Sequence, residues 1–212
     1  MYGEATLDLA LEPILVIFTG VPGTGKTALA GHAAQWLRAP VFSKDELEAT
    51  LWRSGIGRDA NSGWAAYELL TTLARAQLRQ QQSAILDSVA TLERIRSPCR
   101  ALAAEFAVPL RIVETTCTDE AIHCSRLRLR QRGVPGWPEL TWDEAMRVAR
   151  NFEPWTDARL VLDAIEPLER NLSALHAKEP RTNKPARGRH GSMVEWTAKG
   201  SWQRSWQRSC RG

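Results

Sequence analysis

Strand-like and helical stretches alternate along most of the chain, and that alternation predicts an α/β domain, a three-layer sandwich around a five-stranded parallel sheet. Two further observations agree. A run of apolar, partly β-branched residues stops at a glycine-rich turn that opens into a helical pattern. Acidic residues (Asp87, Asp163) also recur where strand-like runs end, the edge at which open parallel sheets hold ligands.

Taken in order, residues 14–19 read as a buried strand, and residues 26–37 as a helix with Leu29, Ala33, Trp36 and Leu37 on one side. A short extended piece at 40–43 leads to a helix over about 45–52, which Gly55 and Gly57 break. Residues 64–80 form a long amphipathic helix with Asn61 or Ser62 as its cap. Residues 83–86 are a strand ending in Asp87, and the stretch from Thr91 to Phe106 is helical. Residues 110–116 form the fourth strand. Thr118-Asp119-Glu120 caps a helix expected to end near Arg132-Gly133, because acidic groups favour a helix start. Two prolines and a glycine make 134–140 a loop. A helix over 141–152, a strand over 159–163 and a helix over 167–175 complete the body.

Composition narrows the class. Of 212 residues, 43% are hydrophobic and 25% charged, and no apolar run nears the roughly 18 residues that would span a bilayer. No signal peptide is read at the start. Four scattered cysteines (99, 117, 124 and 210) suit reduced thiols in a cytoplasmic protein. The net charge of +4 is unevenly placed: the segment from Lys178 holds nine Lys/Arg against two Glu, leaving residues 1–177 at −3. The expected division is a domain over 1–177 and a basic, aperiodic tail over 178–212, in which Ser-Trp-Gln-Arg occurs twice.

The chemistry starts at Gly20-Val21-Pro22-Gly23-Thr24-Gly25-Lys26-Thr27, with Ala28 following. This satisfies GxxxxGK[ST] between a strand and a helix. Glycines let successive backbone N–H groups turn inward around a β-phosphate, and the helix start adds free N–H groups and a positive dipole end. Lys26 is the point charge for the β/γ-phosphates, and the Thr27 hydroxyl is a ligand for Mg²⁺. A nucleoside triphosphate, ATP with Mg²⁺, is the expected cofactor pair. The guanine-selecting NKxD is missing, since Asn183-Lys-Pro-Ala186 ends in Ala. Asp87 is followed by Ser88 where motor-type ATPases carry a water-activating Glu. A small kinase remains, in which a substrate hydroxyl attacks the γ-phosphate.

Such a kinase needs an acid beside the attacked hydroxyl. Asp45, in Ser43-Lys-Asp-Glu-Leu, lies where the second strand gives way to a helix; the alternative role is a helix cap. Asp87 is the second metal-site candidate, through Mg²⁺ or its water shell. In Arg126-Leu-Arg-Leu-Arg-Gln-Arg132, a helical reading puts Arg126 with Arg130 and Arg128 with Arg132 on shared faces. Arg130 and Arg126, ahead of Arg132, are expected to neutralise charge as the phosphoryl moves. Trp137, Trp142 and Trp155 are assigned to packing, and His32 and His123 to no role.

In these residues the chain resembles the AAA-type ATP-binding kinase-like family, which lies near zeta toxins, chloramphenicol phosphotransferase and polynucleotide 5′-hydroxyl kinases. The likeness runs from Gly20–Thr27 through Ser43-Lys-Asp-Glu-Leu, Ile85-Leu-Asp-Ser88, Arg126–Arg132 and Pro135-Gly136 to Val161-Leu-Asp163, over roughly residues 12–175. It implies a P-loop kinase-like fold with a small helical lid, ATP and Mg²⁺ at the loop, Asp45 as acceptor base, and lid arginines on the phosphates. Where similar proteins often carry Arg-His before the lid Pro-Gly, this chain has Gly133-Val134. The acceptor expected is a small-molecule hydroxyl. A mildly acidic body disfavours nucleic acid, so a polynucleotide 5′-kinase stays an alternative, as does a non-catalytic ATP-dependent switch.

Overall fold

The structure, a computed structural model, describes residues 12–178. The tail expected beyond Lys178 therefore lies outside the described residues. The elements run β1 (Leu15–Thr19), α1 (Lys26–Leu37), β2 (Val41–Ser43), α2 (Lys44–Arg53), α3 (Ala60–Arg79), β3 (Ala84–Asp87), α4 (Glu93–Glu105), β4 (Leu110–Thr116), α5 (Glu120–Leu129), α6 (Trp142–Arg150), β5 (Leu160–Asp163) and α7 (Leu168–Lys178). All pairings are parallel, and the strand order is β2-β3-β1-β4-β5.

The sandwich follows from the two-residue period of β1. Val16 and Phe18 point to one face, where Leu29, Ala30 and Ala33 of α1 and Leu175 of α7 cover them. Leu15 and Ile17 point to the other, against Leu70, Ala74 and Leu78 of α3 and Cys99, Leu102 and Ala103 of α4. A sheet buried on both faces needs continuous apolar strands. The β1 sequence Leu-Val-Ile-Phe-Thr is fully buried.

Two expectations are corrected. The cap of α3 is Asp59, whose carboxylate accepts from the backbone N–H groups of Asn61 (2.8 Å) and Ser62 (3.1 Å). Ser62 is thereby inside the helix and buried, free for a different task. The arginine-bearing helix stops at Leu129, and Arg130 is extended (φ −68°, ψ 135°). Arg130 and Arg132 therefore share no helical face with Arg126 and Arg128. The small lid consists of α5 and α6, joined by an arm over residues 130–141. A capping box at Thr141 and Glu144 starts α6. Among the described residues no helix is long and apolar enough to cross a membrane.

Candidate active site

The loop after β1 is shaped by glycines with left-handed backbones. Gly20 (φ 133°) backs onto β4 so closely that an added Cβ would stand 2.2 Å from the Thr115 carbonyl oxygen, so no other residue fits. Thr24 donates to the Val21 carbonyl (2.8 Å) and shares a 2.6 Å hydrogen bond with Thr115. Lys26 Nζ also donates to the Val21 carbonyl, at 3.0 Å. Its ammonium is enclosed by the loop although the residue as a whole is half-buried. Burial lowers its pKa to about 8, against the opposing pull of Asp87 and Asp45.

Sheet register assembles the acids. Asp87 ends β3 and is the Cα partner of both Phe18 on β1 and Ser43 on β2. Thr27 Oγ1 donates to Asp87 Oδ2 at 2.7 Å, so the two oxygen-bearing groups expected at a metal stand together. Burial raises the Asp87 pKa, while Lys26 and the Thr27 hydrogen bond work the other way. Among the described residues no group of three or more His, Cys, Asp or Glu could hold a metal by itself. Hard oxygens from one hydroxyl and one carboxylate fit Mg²⁺ completed by phosphate oxygens and water.

Asp45 is in the first turn of α2, two residues past the Cα partner of Asp87. The lid arm reaches it: Arg132 Nη1 donates to Asp45 Oδ2. Arg132, ranked last of the three by sequence reasoning, thus makes the direct contact, because the early end of α5 lets the arm extend. Glu139 holds the arm, accepting from the Arg132 backbone N–H (2.7 Å) and lying 3.6 Å from Arg130 Nε. Nε and Nη2 of Arg130 are buried without a hydrogen-bond partner, and burial, with Arg132 beside it, lowers its pKa. With Nε facing Glu139, Nη2 is the group left open to a phosphoryl oxygen. Arg126 goes elsewhere, donating to the Ala164 carbonyl at the end of β5 (2.6 Å). The structure thus groups Lys26, Thr27, Asp87, Asp45, Arg130 and Arg132, and keeps Arg126 to the side.

Several site residues escaped sequence reasoning. Lys44 pairs with the buried Glu48 and lies 3.9 Å from Asp45, its Nζ 5.5 Å from the Tyr67 ring centre and 5.4 Å from that of Trp137. Ser62, freed from capping, donates to Glu48 (3.3 Å) and accepts from Trp52 Nε1 (2.9 Å). Trp137 stacks on Trp52 with centroids 4.7 Å apart and planes 1° off parallel. Arg53 and Arg58 donate to the Pro135 and Gly136 carbonyls, the latter at 3.2 Å. The arm tip is therefore clasped to α2 and the loop after it. The run Lys-Asp-Glu-Leu-Glu, with Glu48 four residues after Lys44, was the available signal for the first pair.

A model of the AAA domain family matches residues 15–154. No curated protein matches. Among solved structures, a Chloroflexus aurantiacus J-10-fl protein superposes with a TM-score of 0.63 at 21% identity, covering 80% of this chain and all of that one. A sugar kinase of Janibacter sp. HTCC2649 gives 0.59 at 18%, over 78% of this chain and 93% of its own. Kti12 of Chaetomium thermophilum, solved with ADP-AlF3, gives 0.59 at 16%, over 77% and 96%. At these identities the likeness is one of fold. The family match spans the nucleotide loop, Asp45, Asp87 and the lid arm, and with it the chain belongs to the AAA domain family.

Proposed function

We propose that this chain transfers the γ-phosphoryl of ATP to a hydroxyl of a small-molecule acceptor. What carries the reading is Asp45: a carboxylate at the strand-end edge beside Asp87, electrostatically coupled to Lys26, and faced by an arginine from the lid. A pure nucleotide switch has no need of an acid there.

In this reading the inward amides from Gly20 to Thr27 and Ala28 hold the β-phosphate, and Lys26 leaves the Val21 carbonyl for the β/γ-phosphates. Mg²⁺, held by Thr27 and Asp87, screens phosphate charge when bound. Asp45 takes the proton of the acceptor hydroxyl as its oxygen bonds to Pγ. The Pγ–O bond to the β-phosphate breaks, and ADP leaves with that electron pair. Arg130 offers its Nη2 group to the moving phosphoryl, and Arg132 orients Asp45. Arg126, expected beside Arg130, is tied to the Ala164 carbonyl and has no part in the transfer in this reading. The clasped arm excludes water, so the acceptor hydroxyl is the nucleophile.

The test is a γ-labelled ATP screen over sugars, antibiotics, other metabolites and 5′-hydroxyl oligonucleotides, with Lys26→Ala as blank. Asp45→Asn should keep Mg·ATP affinity within about threefold and lose transfer by about 10²–10⁴-fold. Label found only in inorganic phosphate, or transfer untouched by Asp45→Asn, refutes the proposal.

A further inference from the structure

His123, on α5, is 2% exposed and lies directly behind the nucleotide loop. Its Nε2 is 2.8 Å from the Pro22 carbonyl oxygen. A carbonyl can only accept, so Nε2 carries the proton and donates. Nδ1 is then a bare acceptor, buried without a partner. A Cβ added to Gly23 would come within 3.1 Å of the imidazole Cδ2 and Nε2, so the ring fills the space behind that residue. On its other side the ring meets Trp142, the first residue of α6, edge-on at 5.1 Å and 85°.

The consequence comes from peptide geometry. The Pro22 carbonyl and the Gly23 N–H belong to one peptide unit, and in a trans peptide they point in opposite directions; the chain has no cis bond among its described residues. Fixing that carbonyl outward on His123 directs the Gly23 N–H into the loop, where a phosphate would sit. The neighbouring Val21 carbonyl is held by Thr24 and Lys26 instead. Lys26 must let go to reach a phosphate, whereas His123 has no such second duty.

We infer that His123 is a positioning residue of the nucleotide loop: its Nε2–H pins the Pro22 carbonyl outward, presets the Gly23 amide toward the triphosphate, and through Trp142 joins the loop to the lid helices. The inference rests on the loop being a triphosphate site. It assigns a role to an imidazole that touches neither nucleotide nor acceptor, and it makes both lid helices part of the loop's support.

The experiment is titration calorimetry of the full chain with Mg·ATP, comparing wild type, His123→Leu, His123→Asn, His123→Gln and Lys26→Ala. Glutamine places an amide N–H near the position of Nε2; asparagine carries the same group one methylene short; leucine has no donor. One lost hydrogen bond to a buried carbonyl should weaken binding roughly tenfold in the Leu and Asn variants. Gln should return it to within about threefold, with the thermal midpoints of Asn and Gln alike. Should Leu fail to fold, the Asn and Gln pair decides, since both keep a polar amide in place. Asn binding like wild type while Lys26→Ala abolishes binding, or Gln no better than Asn, overturns the inference and leaves the triphosphate site standing. No binding by wild type overturns both.

Discussion

Lys26 offers a test of the loop that needs no acceptor. With its pKa lowered to about 8, roughly half the unliganded chains carry a neutral Lys26 at pH 8, about a tenth at pH 7 and about nine tenths at pH 9. A triphosphate beside the amine favours the charged form and raises that pKa again. Mg·ATP binding should therefore take up about 0.1 proton at pH 7, about 0.5 at pH 8 and about 0.9 at pH 9, and affinity should weaken toward tenfold per pH unit above 8. The sign is set by burial: because the folded chain disfavours the ammonium, the charged form is costly below pH 8 and the ligand supplies the missing counter-charge. Metal binding favours the ionised form of Asp87, whose pKa burial raises, so any proton it sheds counts with the opposite sign. Calorimetry in two buffers of unlike ionisation enthalpy reads the proton count directly, and Lys26→Met should remove it. No uptake between pH 8 and 9 in wild type would refute the reasoning.

Two further perturbations probe the frame around the site. Arg96, 1% exposed, donates to the carbonyls of Ala90 (2.8 Å), Pro154 (3.0 Å), Thr91 (3.0 Å) and Glu153 (2.6 Å), with its guanidinium 3.9 Å from the Trp155 ring centre. Arg96→Met nearly keeps the volume but strands the carbonyls of Ala90, Pro154 and Glu153, Thr91 keeping the Glu153 N–H, and should cost about 3 kcal/mol, or about 1.5 M in the urea midpoint; a loss below about 1 kcal/mol would show the clamp to be idle. Trp137→Leu removes the stack on Trp52, a contact of about 0.5–1.5 kcal/mol. Limited proteolysis within residues 130–141 should then speed up by as much as about tenfold, and an unchanged cleavage rate would mean the arm is held by its arginine contacts alone.

What sequence could and could not show divides by the range of the interactions. The nucleotide loop, the strand before it and the helix after it are local: α1 runs over residues 26–37 as expected, because glycine geometry and apolar spacing agree there. Asp87 was found because a strand end is visible in hydropathy. The end of α5 was misplaced because arginine and leucine are good helix formers, and nothing in the local text says that Arg132 must reach Asp45, 87 residues away. Asp59 was passed over as the cap for the same region's Asn and Ser, since all three side chains suit that position. Arg96 draws no notice in the sequence, and His123 reads as an idle ring. Their partners, Pro154 and Pro22, lie 58 and 101 residues away and offer only backbone carbonyls, which leave no mark in the amino-acid order.

The strand order has a consequence for how such a chain can diversify. In the proposed reading the triphosphate sits on the loop after β1, gripped between β3 and β4 in the middle of the sheet, whereas Asp45 follows β2, a three-residue strand at its margin. Material added between Ser54 and Arg58, an exposed stretch whose Arg58 donates to the arm at Gly136, would alter the arm's seat without disturbing the central ladder. On that reading the nucleotide half is locked into the centre of the sheet, and the half that meets the acceptor hangs on its edge.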